Sequence, residues 1–168
     1  MTHNPFRRLA GLALALVLLC GTAFAGTAFS FRSGIDWTTA PAQMLAAEGV
    51  SEDDGSYNEE YINGFYFYYL KAQNAYYVFR GELLLQAYTV QAADAYAQTL
   101  EAQTVRYGAP VEVSADTVAA LWNTFVPNAV MPEMLSNLIG WQLSDGTLAA
   151  LFILEGKACM AYFNQQQM

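Results

Sequence analysis

The sequence predicts an α+β fold, a two-layer sandwich in which helices cover one face of two antiparallel three-stranded meanders. Aromatic, β-branched and aliphatic residues fill the stretch from Glu59 to Val90 without the 3.6-residue stripe of a helix. A second such run, Trp141–Phe163, is divided by Asp-Gly and Glu-Gly turns. Helix start and stop signals precede each run, so the predicted order is helix, three strands, helices, three strands.

Residues 1–25 have the pattern of a secretory signal peptide. Arg7 and Arg8 precede an apolar run from Leu9 to Leu19, and small residues flank Phe24 before Gly26. We therefore expect a bacterial protein that is exported, either secreted or held in the cell envelope. Residues 26–168 are then a single α+β domain of ordinary size.

Two other processing sites are consistent with this leader. Cleavage after Ser30 is one, and lipoprotein processing before Cys20 is the other. Leu19 argues against the second site, because lipoprotein processing normally requires a small residue at that position. Cys20 then serves only as one more apolar residue of the leader.

Loss of the leader also removes the chemistry that many enzymes need. His3 is the only histidine, so histidine bases, catalytic triads and histidine metal ligands leave with it. Cys159 becomes the only cysteine and is expected to be a buried, inert thiol. We expect no enzyme and no cofactor. A glycosidase with paired carboxylates is the enzymatic alternative, but the acidic residues cluster around Glu52–Asp54 and Glu59-Glu60.

The charge balance restricts the partners. The chain has 15 acidic and 7 basic residues and a net charge of −8, and it loses Arg7 and Arg8 with the leader. An acidic surface repels nucleic acid and anionic lipid. We expect another protein as the partner, with a glycan as the alternative. No segment after the leader is long and apolar enough to span a membrane.

The first half of the domain begins with a short helix, Ala42–Glu48, which follows Pro41 and ends at Gly49. An acidic loop, Ser51–Ser56, comes next. A calcium site there is the sharper hypothesis, but the loop departs from the EF-hand pattern, which needs a glutamate where Tyr61 stands.

Three strands follow, predicted at Tyr61–Lys71, Ala75–Phe79 and Glu82–Val90, with turns at Gln73-Asn74 and Arg80-Gly81. Phenylalanine has no polar tip, so we assign Phe65 and Phe67 to the core. Tyrosine can bury its ring and keep its hydroxyl in water. The predicted outer face, and candidate binding face, therefore consists of Tyr66, Tyr68, Tyr76 and Tyr88.

The second half starts with a helix over Gln91–Tyr107, which Gly108 and Pro110 terminate. A further helix is capped by Ser114 or Asp116 and breaks near Pro127, and a short helical piece follows from Met131 to Ile139. Three further strands are predicted at Trp141–Ser144, Thr147–Leu154 and Ala158–Phe163.

Two short motifs resemble a group of small secreted bacterial modules. Ile35–Thr39 precedes a short helix, and Tyr107–Pro110 ends a helix after a meander. In these motifs and in element order the chain is similar to β-lactamase-inhibitor-protein-like domains and to small outer-membrane assembly lipoproteins. The resemblance implies a non-enzymatic module that binds proteins, and it assigns no specific functional residue.

The predicted tyrosine face supports two functions. Rigid, amphipathic tyrosines are well suited to protein interfaces, so the first hypothesis is an exported interaction module. The alternative is a carbohydrate-binding module in which exposed rings stack on sugars. Coplanar exposure of two or more tyrosines distinguishes the alternative from the first hypothesis.

Overall fold

The computed structural model describes residues 27–51, 53 and 55–168. The predicted signal peptide, with its alternative site at Cys20, lies outside these residues, as do Glu52 and Asp54 of the acidic loop. The described helices are α1 (Pro41–Glu48), α2 (Tyr96–Tyr107) and α3 (Ala115–Asn123). The described strands are β1 (Tyr57–Ile62), β2 (Phe65–Leu70), β3 (Ala75–Arg80), β4 (Leu83–Ala92), β5 (Leu135–Gln142), β6 (Thr147–Leu154) and β7 (Lys157–Asn164).

All seven described strands belong to one antiparallel sheet with the order β1-β2-β3-β4-β7-β6-β5. The α+β class is confirmed, but the prediction of two separate three-stranded meanders is wrong. β4 pairs with β3 along one edge and with β7 along the other, where Tyr88 lies opposite Ala161. This pairing satisfies backbone groups that two separate meanders would leave at open edges.

The predicted first strand, Tyr61–Lys71, contains a hairpin turn. Asn63 and Gly64 both have positive φ angles, 53° and 90°, as a two-residue type I′ turn requires. Tyr61 and Tyr66 consequently lie opposite each other on β1 and β2. The first meander therefore has four strands instead of three.

The predicted helical piece from Met131 to Ile139 is also wrong. Only Pro132–Met134 forms a short 3₁₀ turn, and β5 begins directly after it. β5 pairs with β6, for example Trp141 with Ala149, across the predicted Asp-Gly turn. The pairing with a buried neighbour decides the conformation here, since local propensity is a weak determinant for so short a segment.

Helices pack on both faces of the sheet, which corrects the predicted single helical layer. The front face is the one covered by the N-terminal segment, α1 and α2. Its buried side chains include Leu70, Tyr77, Leu151 and Tyr162, with Met44 of α1 against them. The back face carries Phe152, Ala161 and Phe163, with Val118 and Ala119 of α3 in the same buried cluster.

Small residues lie on the back face where α3 and the segment before it pack, because Ala150 shares a buried cluster with Val118 and a β-carbon on Gly140 would meet Val113. Gly140, Ala150 and Ala161 are cross-strand neighbours on β5, β6 and β7. They continue the cross-strand row that includes Tyr88 on β4. The change from tyrosine to small side chains along one row makes space for the helix over only part of the back face.

None of the described helices is both long enough and apolar enough to cross a lipid bilayer.

Candidate functional site

The four tyrosines of the predicted binding face do not share a face. Tyr68 lies opposite Tyr77 on the front face, whereas Tyr76 lies opposite Tyr69 on the back face. The loop between β2 and β3 has four residues, so even-numbered positions on β2 pair with odd-numbered positions on β3. Tyr66 and Tyr68 therefore face away from Tyr76 and Tyr88.

The two front-face tyrosines are largely occupied by packing. Tyr68 is only 6% exposed and its ring meets Phe79 edge-on with centroids 5.6 Å apart. Burial raises the pKa of the Tyr68 phenol well above its usual range. Tyr66 is half-buried and lies 4.7 Å from the ring of Tyr61, which is 64% exposed. Tyr68 thus belongs to the core instead of the surface.

The back face presents a row of three stacked tyrosines, Tyr69, Tyr76 and Tyr88. Ring centroids are 4.5 Å apart in both pairs, with interplanar angles of 16° and 1°. Trp122 of α3 ends the row, 4.7 Å from Tyr88. Direct cross-strand pairing on β2, β3 and β4 produces this stacking. Sequence reasoning missed Tyr69, although a loop with an even number of residues between β2 and β3 is enough to place Tyr69 beside Tyr76.

Two pockets flank the row and share Tyr76 and Tyr88. We call them together the tyrosine groove. The first has a volume of about 320 Å³ and the second about 290 Å³. The first is lined by Asn58, Glu60, Ile62, Phe67, Tyr68, Tyr69, Tyr76, Tyr77, Tyr88, Val78 and Val126. The second is lined by Tyr76, Tyr88, Val90, Trp122, Leu154, Glu155, Lys157 and Cys159.

The rings of the groove present their edges and hydroxyl groups to a ligand. Tyr76 has a neighbouring ring on each side, so neither of its faces is open for stacking. Tyrosine phenols are neutral at about pH 7, and burial raises the pKa of both Tyr76 and Tyr88 further. The Tyr69 hydroxyl donates to Oδ1 of Asn74 at 3.1 Å. The arrangement suits apolar contact combined with hydrogen bonds from neutral hydroxyls.

The described residues contain no group of three or more histidine, cysteine or carboxylate side chains that could hold a metal ion. Glu48, the one buried carboxylate in the part of the chain that the structure describes, has partners within the protein. It accepts a 2.6 Å hydrogen bond from the Tyr77 hydroxyl and pairs with Nε of Arg32 at 3.0 Å. These contacts tie α1 to the sheet and to the N-terminal segment.

Cys159 lines the groove but is only 2% exposed, and burial raises the pKa of its thiol to about 11. A raised pKa means that the reactive thiolate forms only as the pH approaches that value. We expect Cys159 at about pH 8 to react with a disulfide reagent about a hundredfold more slowly in the folded chain than in the unfolded chain. Absorbance of the released thiolate measures both rates. Equal rates would show that the thiol is accessible in the folded protein.

Comparison of the chain with protein-family models, with curated proteins and with solved structures finds no match.

Proposed function

We propose that this chain is an exported, non-enzymatic interaction module that binds an extended segment of another protein in the tyrosine groove. One observation is the main support. α3 and the residues after it cover β5–β7 and the Phe65 end of the back face, where Phe65 meets Phe125. The Tyr69 end has no helix over it among the described residues, and it holds an aromatic row between two pockets.

The edge strand next to the groove supports the same proposal. β1 pairs only with β2 in the described part of the chain, and most of its residues are exposed. An exposed edge strand can accept an extended peptide as an additional strand. At the opposite edge, β5 has an irregularity between Ser136 and Ile139 and a bridge from Val111. β1 is therefore the better docking edge.

Charge indicates the chemistry of the partner segment. Glu60 lines the groove, Glu59 is its neighbour on β1, and the whole chain has a net charge of −8. A basic segment would be attracted to this edge, and an apolar side chain of that segment would fit against Phe67 and Val126. The resemblance to β-lactamase-inhibitor-protein-like domains agrees with a protein partner.

The test starts by capturing proteins from envelope and culture extracts on the immobilised mature chain. Binding of the purified partner is then compared between the native chain and Ile62→Lys. Ile62 is 37% exposed and lines the groove, so a lysine there removes an apolar contact and repels a basic segment. We expect an affinity loss of about tenfold or more, measured by calorimetry.

Val105→Lys is the matched control, because Val105 is 84% exposed on α2, which packs on the front face. It introduces the same side chain at a distance from the groove and should leave the affinity unchanged. Equal losses in the two variants, or no loss in Ile62→Lys, would contradict binding in the tyrosine groove.

The carbohydrate alternative has less support from these tyrosines. A sugar-stacking platform needs an open ring face, and the neighbours of Tyr76 cover both of its faces. We therefore propose the protein-binding role ahead of it.

A further inference from the structure

A polar cleft lies on the front face of the sheet, on the side opposite the tyrosine groove. Its volume is about 460 Å³. Thr89 of β4 and Met160 and Tyr162 of β7 form its floor, since Thr89 and Met160 are cross-strand partners on the front face. One flank of α2 forms one wall, and Phe31 and Arg32 of the N-terminal segment contribute to the lining.

The flank of α2 that lines the cleft is polar. Leu100 and Tyr107 of this helix pack against the front-face core. Thr99, Gln103 and Arg106, which helical spacing places on one side, line the cleft instead. A helix flank beside a sheet is more commonly apolar. A ligand in the cleft would therefore meet polar side chains along this wall.

Two of the few cations of the chain, Arg32 and Arg106, line this cleft, and no carboxylate residue is in its lining. Arg32 pairs through Nε with Glu48, which leaves its two terminal nitrogens to other partners. Arg106 donates from Nη2 to the Ser30 carbonyl oxygen, a neutral acceptor. In the described part of the chain, Arg32–Glu48 is the only salt bridge, so the charge of Arg106 has no ion-pair partner.

The hydrogen bonds at the floor of the cleft determine which donors and acceptors remain for a ligand. The Tyr162 hydroxyl donates to Oε1 of Gln103 at 3.2 Å. The Gln103 oxygen is thus occupied, and its amide N–H groups are the ones that can donate to a ligand. Together with the guanidinium groups, this part of the cleft offers donors, and no carboxylate in the lining competes for them.

We propose that the front-face cleft binds a small hydroxylated carboxylate, with the carboxylate on the guanidinium of Arg106 and the hydroxyls on Gln103 and Thr99. Guanidinium groups bind carboxylates through two parallel hydrogen bonds. The cleft volume is within the range of small-molecule sites. This site is independent of the proposed protein partner, because the two sites lie on opposite faces of the sheet.

The test is a titration of the chain with galacturonate, with galactose as the neutral probe, which has a hydroxymethyl group in place of the carboxylate. Backbone amide shifts around residues 98–106 report binding at the cleft. We expect saturation by galacturonate at millimolar concentrations and at least about tenfold weaker binding of galactose. A parallel titration with polygalacturonate distinguishes a free sugar acid from a polymer as the natural source.

Arg106→Gln keeps a long polar side chain and removes the charge, so it should weaken galacturonate binding by about ten- to a hundredfold. Arg80→Gln is the matched control, because Arg80 is exposed and lies outside the cleft, where it donates to the Gln167 carbonyl oxygen. Circular dichroism verifies that both variants fold. Absence of saturation by about 20 mM galacturonate, equal affinity for galactose, or equal losses in the two variants would each overturn the proposal.

Discussion

Replacing Glu48 with alanine is expected to lower the free energy of unfolding by about 2–4 kcal/mol, which is a large part of the stability of a domain this size. Glu48 is 9% exposed and holds the hydroxyl of Tyr77, a side chain with no exposed surface. Without the carboxylate that hydroxyl stays buried and unpaired. The Arg32 side chain is 39% exposed, so water screens its ion pair and it contributes little of the loss.

Urea unfolding followed by tyrosine and tryptophan fluorescence measures this loss. Glu101→Ala is the matched control, because Glu101 is exposed on α2, and we expect a change of less than about 0.5 kcal/mol. Tyr77→Phe tests the cause. Adding Glu48→Ala to it should cost less than the same change in the native chain, since the unpaired hydroxyl is already gone. Similar midpoints for Glu48→Ala and Glu101→Ala would show that the buried contact is not important for stability.

Local signals in the sequence predicted several elements well. Pro41 and Gly49 bound α1, and Gly49 has the left-handed φ of 68° that a helix end favours. β6 spans Thr147–Leu154 as predicted from the Asp-Gly and Glu-Gly turns beside it. These features depend on residues within a few positions of one another, where propensity and turn chemistry are strong guides.

The long-range features were not predictable in this way. Whether two meanders join depends on the free edge of β4 meeting that of β7, and no local pattern records that pairing. The side of the sheet that α3 covers depends on small residues at Gly140, Ala150 and Ala161, which come together only in the folded sheet. The Asn63-Gly64 turn, in contrast, has a local signal in the sequence. The strand prediction missed this turn because aromatic residues continue on both sides of it.

The candidate site was half predicted. Tyr76 and Tyr88 belong to the stacked row on the back face, the rings of Tyr66 and Tyr68 lie on the front face, and Tyr69 was not foreseen. The error has a simple physical origin, because a shift of one residue in the pairing register moves a side chain to the opposite face of the sheet. The front-face cleft combines residues from both ends of the chain, so its polar side chains had no shared signal in the sequence.

The second large effect is expected for Gly140→Ala, which should lower the free energy of unfolding by about 2–3 kcal/mol. A β-carbon on Gly140 would lie 2.5 Å from Cγ2 of Val113 and 2.8 Å from the carbonyl oxygen of Ala149. Both distances are too short for any real contact. Gly140 also exchanges two backbone hydrogen bonds with Val111, at 2.8 and 3.0 Å, so β5 cannot shift without breaking them.

A double-mutant cycle separates the two clashes. Val113→Ala removes the side-chain clash at the β-carbon but leaves the Ala149 carbonyl, which belongs to the sheet backbone and cannot rotate away. In urea unfolding, Gly140→Ala should therefore cost less when Val113 is already alanine, and yet still cost part of the full amount. Strictly additive losses of unfolding free energy would mean that β5 moves as a unit. Complete recovery of the Gly140→Ala loss would mean that the sheet backbone moves away from the new β-carbon more easily than a side chain does. Partial recovery is expected for a close-packed strand, because Val113→Ala removes only one of the two close contacts of the new β-carbon.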